Sequence, residues 1–318
     1  MTKPFVIAEV GSNFDQSLKK AKKYIDVAKK CNADAVKFQL FSGKILYPDN
    51  NKMQKIFNSV ELNINWVPSL LKYANRKGIK LFFSCFDNSR QNFLIKNGFL
   101  LHKIASSEIN NFQLIKNLNK KKLKVFLSTG MSDMDDIKIA IKELKKCKLV
   151  LMQCTSLYPT KEKDVNLNVI KSFKKNFNDV EFGLSDHTTS DIAAITAIGM
   201  GYRYFEKHIT LNKKSKGPDH FYAYEPWEFK RYIDNINKSY ICLGKDKKEI
   251  NIDVRKIARL NGVYSAYALN KNQIITQKDI KIKSPAIGLR EKELKLILGK
   301  KLKFNIQSNK PLKIEFFK

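Results

Sequence analysis

Two of the four histidines in this 318-residue chain, His187 and His208, flank one helix-sized segment. Each histidine follows a short run of the kind that forms a β-strand. If the two strands are parallel neighbours, both side chains emerge at the same edge of one sheet. Asp186, Glu206 and Asp219 are close in sequence, so this edge is a candidate site for a divalent metal ion. The alternative is that each imidazole is a solvated or hydrogen-bonded loop side chain.

Two lysines, Lys37 and Lys103, lie inside apolar strand-like runs. A lysine in such a run is costly unless it meets an anion, although its long side chain can also reach solvent at the rim of a sheet. Ser128 opens the sequence STGM at the start of a helix-length segment, where backbone amides can bind an anion. Two lysines, several hydroxyls and a metal-type pair of histidines at one rim indicate a substrate that carries phosphate or carboxylate groups.

The elements that must position these side chains recur in a steady rhythm of strand-like runs, each followed by a helix-length segment. The predicted strands are 5–10, 34–40, 79–85, 100–106, 123–128, 148–154, 180–185 and 202–208. The predicted helices are 17–31, 66–77, 88–97, 110–119, 133–146, 164–175, 189–200 and 226–242. In the first helix, Leu18, Ala21, Ile25 and Ala28 recur at helical spacing, which is typical of an amphipathic helix.

Eight strand–helix units of this length predict a (β/α)8 TIM barrel. A doubly wound open sheet is the structural alternative, but no glycine-rich GxGxxG turn supports a dinucleotide-binding fold. In a barrel, chemistry takes place at the carboxyl ends of the strands. The predicted strands end in polar residues such as Glu9, Gln39, Ser128 and His208, which agrees with a site there.

The net charge of +30 is the strongest signal in the composition. Such a charge could attract nucleic acid or an acidic membrane surface. The charge is mostly lysine, spread along the whole chain without a nucleic-acid-reading motif, which disfavours a nucleic-acid partner and favours attraction of an anionic substrate. No apolar segment approaches the length of a membrane span. Five scattered cysteines without CxxC spacing indicate reduced thiols in a cytoplasmic protein.

The alternation of strand-like runs and helix-length segments ends after residue 243. Residues 1–243 are predicted to form the barrel, and the polar residues 244–258 are predicted to form a linker. Residues 259–318 show short strand signals and no long helix before about 291–298. We therefore predict a small, separate β-rich domain at the carboxyl end.

Eight short motifs occur in order along the chain: AEVGSN, ADAVKFQ, KIASSEINNFQLI, STGM, QCTSLYP, GLSDHT, FEKHIT and GPDH. No single motif is decisive, but eight in order at matching spacing are highly specific. Together they resemble the sialic acid synthases, a family that includes the N-acetylneuraminate, legionaminate and pseudaminate synthases. The carboxyl-terminal region is similar to the antifreeze-like (SAF, β-clip) domain of that family.

The resemblance implies a condensation of phosphoenolpyruvate with the open-chain aldehyde of a 2-acetamido sugar, which gives a nine-carbon 2-keto acid and phosphate. It implies that His187 and His208 bind a divalent ion, most often Mn²⁺ in the family, with Mg²⁺ or Co²⁺ as alternatives. The positions that match the phosphoenolpyruvate site are Lys37, Lys103, Ser106, Ser128 and Ser185. Those that match the amino-sugar side are Glu9, Gln39, Tyr158 and Asp219. The catalytic candidates are Glu9, Glu108 and Glu206, which could handle water or protons.

The sequence GPDH at residues 217–220 resembles the neuraminate and legionaminate branches. We therefore expect N-acetylmannosamine or its 6-deoxy-diacetamido analogue as the acceptor sugar. The family arrangement implies a domain-swapped homodimer in which each small domain caps the site of its partner. Ser284–Pro285 stands where the family has an arginine before a proline. This departure motivates the alternative of a relative that binds a sugar or phosphate without turning it over.

Overall fold

The chain forms two compact units, Met1–Gly244 and Lys245–Lys318. The computed structural model describes residues 3–49, 51–120, 122–249, 251, 253–254 and 260–318. Of the predicted linker at 244–258, residues 250, 252 and 255–258 lie outside the described part, as does residue 259 at the start of the predicted small domain.

The first unit contains a closed barrel of eight parallel strands in sequential order, in which β1 pairs with both β2 and β8. The strands are β1 (Phe5–Glu9), β2 (Ala35–Leu40), β3 (Lys80–Cys85), β4 (Leu101–Ile104), β5 (Lys124–Ser128), β6 (Lys148–Cys154), β7 (Val180–Asp186) and β8 (Tyr204–His208). The predicted (β/α)8 barrel is confirmed. The doubly wound alternative was wrong, because closure through β1 and β8 leaves no open edge in the sheet.

Eight of the ten helices in the described part of this unit match the predicted ones. The helices are α1 (Leu18–Lys30), α2 (Gly43–Leu46), α3 (Lys52–Val60), α4 (Val67–Lys77), α5 (Asn88–Lys96), α6 (Phe112–Leu118), α7 (Met134–Glu143), α8 (Val169–Asn176), α9 (Ile192–Met200) and α10 (Pro226–Cys242). The two that were not predicted, α2 and α3, lie between β2 and α4. Helix α8 begins later than predicted, because a 3₁₀ turn at Glu162–Asp164 and a left-handed residue, Asn166 (φ 50°), precede it.

The barrel interior is apolar towards the amino ends of the strands and polar towards their carboxyl ends. Alternation along each strand directs every second side chain inward. The apolar layer consists of Ile7, Ala35, Phe82, Phe126, Val150, Met152 and Tyr204. This packed layer closes the floor of the barrel, so the inward polar residues above it face the open carboxyl end.

The second unit is described by itself. Its strands β9 (Gly262–Ser265) and β10 (Ile280–Lys283) form an antiparallel pair. The predicted helix at about 291–298 is a six-residue 3₁₀ helix, Glu291–Leu296. The unit has its own apolar core, which includes Val263, Leu269, Ile275, Ile297, Leu302 and Leu312. The assignment of this unit as an antifreeze-like domain stays a prediction.

The sequence also predicted that the chain has no membrane span and that its cysteines are reduced thiols. Within the described residues, no helix combines the length and apolar character that crossing a membrane requires. All five cysteines are described, and each is a free thiol.

Candidate active site

One polar cavity lies at the carboxyl ends of the barrel strands, and every strand or the loop that follows it contributes to its wall. The lining residues are Glu9, Lys37, Gln39, Ser84, Lys103, Ala105, Ser106, Ser128, Cys154, Tyr158, Ser185, His187, Glu206 and His208. The structure therefore brings together all but two of the site residues predicted from the sequence. The exceptions are Glu108 and Asp219.

Two lysine–glutamate pairs dominate the floor of the cavity. Lys37 Nζ lies 2.6 Å from Glu9 Oε2 and donates to Ser84 Oγ at 2.8 Å. Lys103 Nζ donates to both carboxylate oxygens of Glu206, at 3.0 and 2.9 Å. Lys37 Nζ is also 3.6 Å from Glu206 Oε1. All four charged side chains are buried, so they form one linked network away from bulk water.

This network controls the ionisation of its members. Burial alone would raise the pKa of Glu206, but Lys103 and Lys37 outweigh it and lower that pKa to about 2. Burial raises the pKa of Glu9, and the attraction of Lys37 opposes this only in part. Burial disfavours the charged form of Lys37 too, yet its two glutamate neighbours raise its pKa. Glu206 is therefore ionised, whereas Glu9 is the carboxyl group more easily protonated.

Besides Ser84, three serines line the same cavity, and their hydroxyls differ in their hydrogen bonds. Ser185 donates to Glu206 Oε1 at 3.1 Å, and Ser106 Oγ accepts the backbone N–H of Gly130 at 2.9 Å. Ser128 Oγ is buried and has no hydrogen-bond partner among the described residues. A buried hydroxyl without a partner is costly. Ser128 is therefore suited to bind an oxygen of a ligand.

The two histidines lie side by side, with ring centroids 5.5 Å apart. His187 Nδ1 is 2.8 Å from the carbonyl oxygen of Thr155, and His208 Nδ1 is 3.3 Å from the hydroxyl of Tyr222. Tyr158 packs against both imidazoles, with centroids 4.2 Å from His187 and 6.1 Å from His208. Because both contacts use Nδ1, the Nε2 atom of each ring is left for coordination.

The Nε2 atoms of His187 and His208 could provide two ligands to a divalent ion, which is only part of its coordination shell. Burial lowers the pKa of His208 to about 3, which keeps that imidazole neutral as a metal ligand must be. Burial acts in the same direction on His187, but the neighbouring Cys154 outweighs it and raises the pKa of His187. Among the described residues, no group of three or more His, Cys, Asp and Glu side chains has the arrangement of a complete metal site. Two imidazoles would therefore leave coordination positions for water or substrate, as catalytic sites do.

Asp219 lies next to the cavity wall, in the loop after β8. Its Oδ2 accepts the backbone N–H of Ser12 at 3.0 Å and the Ser12 hydroxyl at 2.8 Å, and its Oδ1 accepts the Tyr222 hydroxyl at 2.9 Å. A Cβ atom on Gly11, which has φ +56°, would stand 2.5 Å from Asp219 Oδ2 and 3.4 Å from His208 Cε1. Only glycine at position 11 lets this carboxylate approach so closely.

Glu108 lies away from the cavity. The strand β4 ends at Ile104, and the 3₁₀ turn Ser106–Glu108 directs this residue elsewhere. Its carboxylate accepts hydrogen bonds from Asn111 at 2.9 Å and from Ser107 at 3.2 Å. Of the three glutamates predicted near the chemistry, the structure therefore groups only Glu9 and Glu206.

Three residues around the site were not among the predicted ones. Ser84 is the last residue but one of β3, Cys154 is the last residue of β6, and both line the cavity. Their position at the carboxyl ends of strands was the signal that could have found them. Cys154 Sγ is 4.0 Å from His187 Nδ1. Tyr222 lies in the aromatic run FYAY, and nothing in that run distinguishes the one tyrosine that contacts His208.

A separate buried ion pair holds the two histidine-bearing strands together from outside the barrel. Asp186 and Lys207 are directly opposite in the register of β7 and β8, and Lys207 Nζ lies 3.0 Å from Asp186 Oδ2. Asp186 Oδ1 accepts the N–H and the hydroxyl of Thr188 at 2.9 and 2.8 Å. Lys207 also donates to the Thr188 carbonyl and lies 4.4 Å from the centroid of Tyr224. The pair therefore fixes the turn that carries His187.

Replacing Lys207 by methionine should destabilise the barrel by about 3–5 kcal/mol, because Asp186 would remain buried without its cation. Lys138→Met is the matched control, since its partner Asp135 is 84% exposed and such a pair contributes at most about 1 kcal/mol. Urea denaturation of both variants measures the difference. Equal free energies of unfolding for Lys207→Met and Lys138→Met would contradict the structural role of the pair.

An eight-stranded barrel with lysines, carboxylates and histidines gathered at its carboxyl end is the architecture of a TIM-barrel enzyme. The chain belongs to the NeuB family, whose model matches residues 24–248. This confirms the family resemblance seen in the sequence motifs.

Individual relatives match nearly the whole chain. The N,N'-diacetyllegionaminic acid synthase of Legionella pneumophila is 31% identical, over 97% of this chain and 93% of that protein. The pseudaminic acid synthase of Campylobacter jejuni is 32% identical, over 99% of this chain and 97% of that protein. A crystal structure of an N-acetylneuraminic acid synthetase from Leptospira borgpetersenii in complex with citrate has a TM-score of 0.75 at 28% identity, and covers 80% of this chain and 90% of that one.

Proposed function

We propose that this protein is a synthase that joins phosphoenolpyruvate to the open-chain aldehyde of a 2-acetamido sugar. The products are a nine-carbon 2-keto acid and phosphate. The observation that carries the proposal is the cavity at the carboxyl ends of the strands, in which Lys37 and Lys103 lie together with His187 and His208. Full-length relatives named legionaminic acid synthase and pseudaminic acid synthase support it.

In this reaction, C3 of phosphoenolpyruvate bonds to the aldehyde carbon, one water molecule is consumed and phosphate leaves. Lys37 and Lys103 offset the negative charge of phosphoenolpyruvate, and the unpartnered Ser128 hydroxyl is available to one of its oxygens. Holding both reactants in one buried cavity replaces an encounter in water by a fixed geometry. Glu9, whose pKa is raised by burial, is the carboxyl group best suited to hold a proton beside the reacting atoms.

His187 and His208 are the residues that would hold the divalent ion of the family, and we propose Mn²⁺, with Mg²⁺ or Co²⁺ as alternatives. When bound, the ion supplies Lewis-acid polarisation of the aldehyde oxygen. The two Nδ1 contacts described above support this assignment, because they leave Nε2 of each ring for coordination.

The acceptor proposed is N-acetylmannosamine or its 6-deoxy-diacetamido analogue. Incubating the protein with phosphoenolpyruvate, Mn²⁺ and a panel of 2-acetamido sugars should release phosphate with one of these two sugars. Mass spectrometry should show a nine-carbon 2-keto acid. A chelator should abolish the release, and added Mn²⁺ should restore it. Turnover only with the pseudaminate precursor would overturn the choice of sugar, and undiminished turnover in metal-free protein would overturn the metal.

The second candidate function is a non-catalytic relative that binds sugar or phosphate. It is motivated by Ser284, an exposed residue whose hydroxyl donates to Asn261 at 3.3 Å and which lacks the charge of the arginine expected there. The same panel separates the two functions. Binding of phosphoenolpyruvate by calorimetry, without phosphate release from any sugar in the panel, would favour the non-catalytic function.

We also propose a domain-swapped homodimer and a cytoplasmic location, as the family resemblance and the scattered free thiols suggest. The compactness of residues 1–244 as one unit indicates that a chain truncated at residue 250 should retain a folded barrel with weakened use of the sugar. Light scattering of the full chain and assays of the truncated one test this. A monomer together with a fully active truncated barrel would rule out the capping role.

A further inference from the structure

The hydroxyl of Tyr222 stands between a carboxylate and a candidate metal-binding histidine. Tyr222 is only 3% exposed. Its hydroxyl donates to Asp219 Oδ1 at 2.9 Å and lies 3.3 Å from His208 Nδ1. Its ring centroid is 5.1 Å from that of His208. The three side chains thus form a short chain of hydrogen bonds that ends at the imidazole.

The direction of each hydrogen bond follows from the chemistry of the groups. Asp219 already accepts two hydrogen bonds from Ser12 on Oδ2, and an ionised carboxylate can only accept. The single phenolic proton of Tyr222 is therefore directed to Asp219 Oδ1. The oxygen of Tyr222 then faces His208 Nδ1 with a lone pair, so that nitrogen must carry a proton to complete the chain.

We propose that Tyr222 is a positioning residue that holds His208 in the Nδ1–H tautomer, with the Nε2 lone pair directed to a divalent cation. This inference rests on the proposed function, because it gives His208 the task of binding that cation. His187 reaches the same tautomer by a different contact, since its Nδ1 lies 2.8 Å from the Thr155 carbonyl, which can only accept. The two rings therefore present equivalent Nε2 donors although their outer partners differ.

Tyr222→Phe removes the hydroxyl and keeps the ring. It should weaken binding of Mn²⁺ alone, measured by calorimetry, by about tenfold to a hundredfold, as is typical when an outer partner of a ligating histidine is lost. Binding of phosphoenolpyruvate to the metal-free variant should stay unchanged, because Lys37 and Lys103 are untouched. Tyr202→Phe is the matched control: that buried hydroxyl donates to the Leu167 carbonyl outside the cavity.

Asp219→Asn gives the sharper test because it should reverse the direction of both hydrogen bonds between residue 219, Tyr222 and His208. The amide oxygen of the new side chain can still accept from Ser12, which leaves its NH₂ group facing Tyr222. Tyr222 would then accept from the amide and donate to His208 Nδ1, forcing the proton of His208 onto Nε2. The variant should bind Mn²⁺ more weakly than Tyr222→Phe, and the double variant with Tyr222→Phe should recover part of the loss.

Nitrogen NMR of ¹⁵N-histidine-labelled, metal-free protein reads the tautomers directly, and the chain has only four histidines to assign. The expected result is an Nδ1–H signal for His208 in the parent and in Tyr202→Phe, a mixture in Tyr222→Phe and an Nε2–H signal in Asp219→Asn. An unchanged His208 tautomer in both Tyr222→Phe and Asp219→Asn would overturn the inference even if the protein is an active synthase. Tautomer shifts without any condensation activity would instead overturn the proposed function and leave the positioning role intact.

Discussion

Replacing Lys103 by methionine should raise the dissociation constant of phosphoenolpyruvate by at least about tenfold, which corresponds to roughly 1.4 kcal/mol. Lys103 is 3% exposed and lies within the cavity. A buried ammonium facing an anionic ligand forms a charge-assisted contact that methionine, with a similar apolar length, cannot replace. Lys37→Met should have an effect of the same kind, because Lys37 lines the same cavity. Calorimetry of both variants measures the change.

Each of the two lysines forms an ion pair with a buried glutamate, so a lysine variant can lose stability as well as ligand binding. Lys103→Met leaves Glu206 with Lys37 alone, 3.6 Å away, so the variant should also be less stable, since one partner of a buried pair is lost. A double variant, Lys103→Met with Glu206→Gln, removes both charges and should recover stability without recovering phosphoenolpyruvate binding. This separates the loss of binding from the loss of folded protein.

The matched control is Lys124→Met. Lys124 also pairs with a glutamate, Glu181, and contacts Tyr204, but it belongs to the start of β5 and not to the cavity. Its removal should leave phosphoenolpyruvate binding unchanged. Unaltered affinity in both Lys37→Met and Lys103→Met, with Lys124→Met as a folded reference, would contradict the assignment of the anion site.

The barrel could be predicted from the sequence because its signal is local. Each strand is a short apolar run whose side chains alternate between the two faces of the sheet, and α1 shows apolar residues at helical spacing. The predicted strands have Glu9, Lys37, Lys103 and His208 near their carboxyl ends, which is why the cavity contains these residues. The short helices α2 and α3 were not predicted because they are additional to the one helix expected after each strand, and α2 has only four residues.

The partners of the site residues could not be predicted, because they depend on closure of the barrel. Glu9 and Glu206 belong to β1 and β8, which are neighbours only after the first and last strands pair. That pairing places both carboxylates beside Lys37. Sequence alone identified the four charged residues as separate candidates, whereas their linked ionisation is a property of the folded barrel.

The position of Glu108 outside the cavity lining and the contact of Tyr222 with His208 have the same kind of cause. Glu108 follows the strand end closely in sequence, but the 3₁₀ turn after β4 carries its side chain towards Asn111. Tyr222 lies in the loop after β8, where no periodic pattern fixes which side chain turns inward. Loop geometry therefore decides which of these side chains contacts the site residues.

His187→Ala and His208→Ala should each reduce phosphate release by at least about a thousandfold, or roughly 4 kcal/mol of transition-state stabilisation. Each variant removes one of two imidazoles whose centroids are 5.5 Å apart. Because the described residues contain no larger cluster of metal-binding side chains, we expect no nearby residue to replace a lost ligand. Calorimetry with Mn²⁺ should show binding lost in step with activity.

Phosphoenolpyruvate should still bind to the metal-free alanine variants, because the contacts proposed for it are with Lys37, Lys103 and the serines. This distinguishes loss of the cation from collapse of the cavity. His102→Gln is the control histidine variant: His102 is buried, its Nε2 lies 2.9 Å from the Phe99 carbonyl outside the cavity, and an amide can keep that hydrogen bond. Full turnover by the double variant His187→Ala with His208→Ala would show that the chemistry needs no ion at this site. Loss of Mn²⁺ binding in His102→Gln would show that the cation lies elsewhere in the barrel.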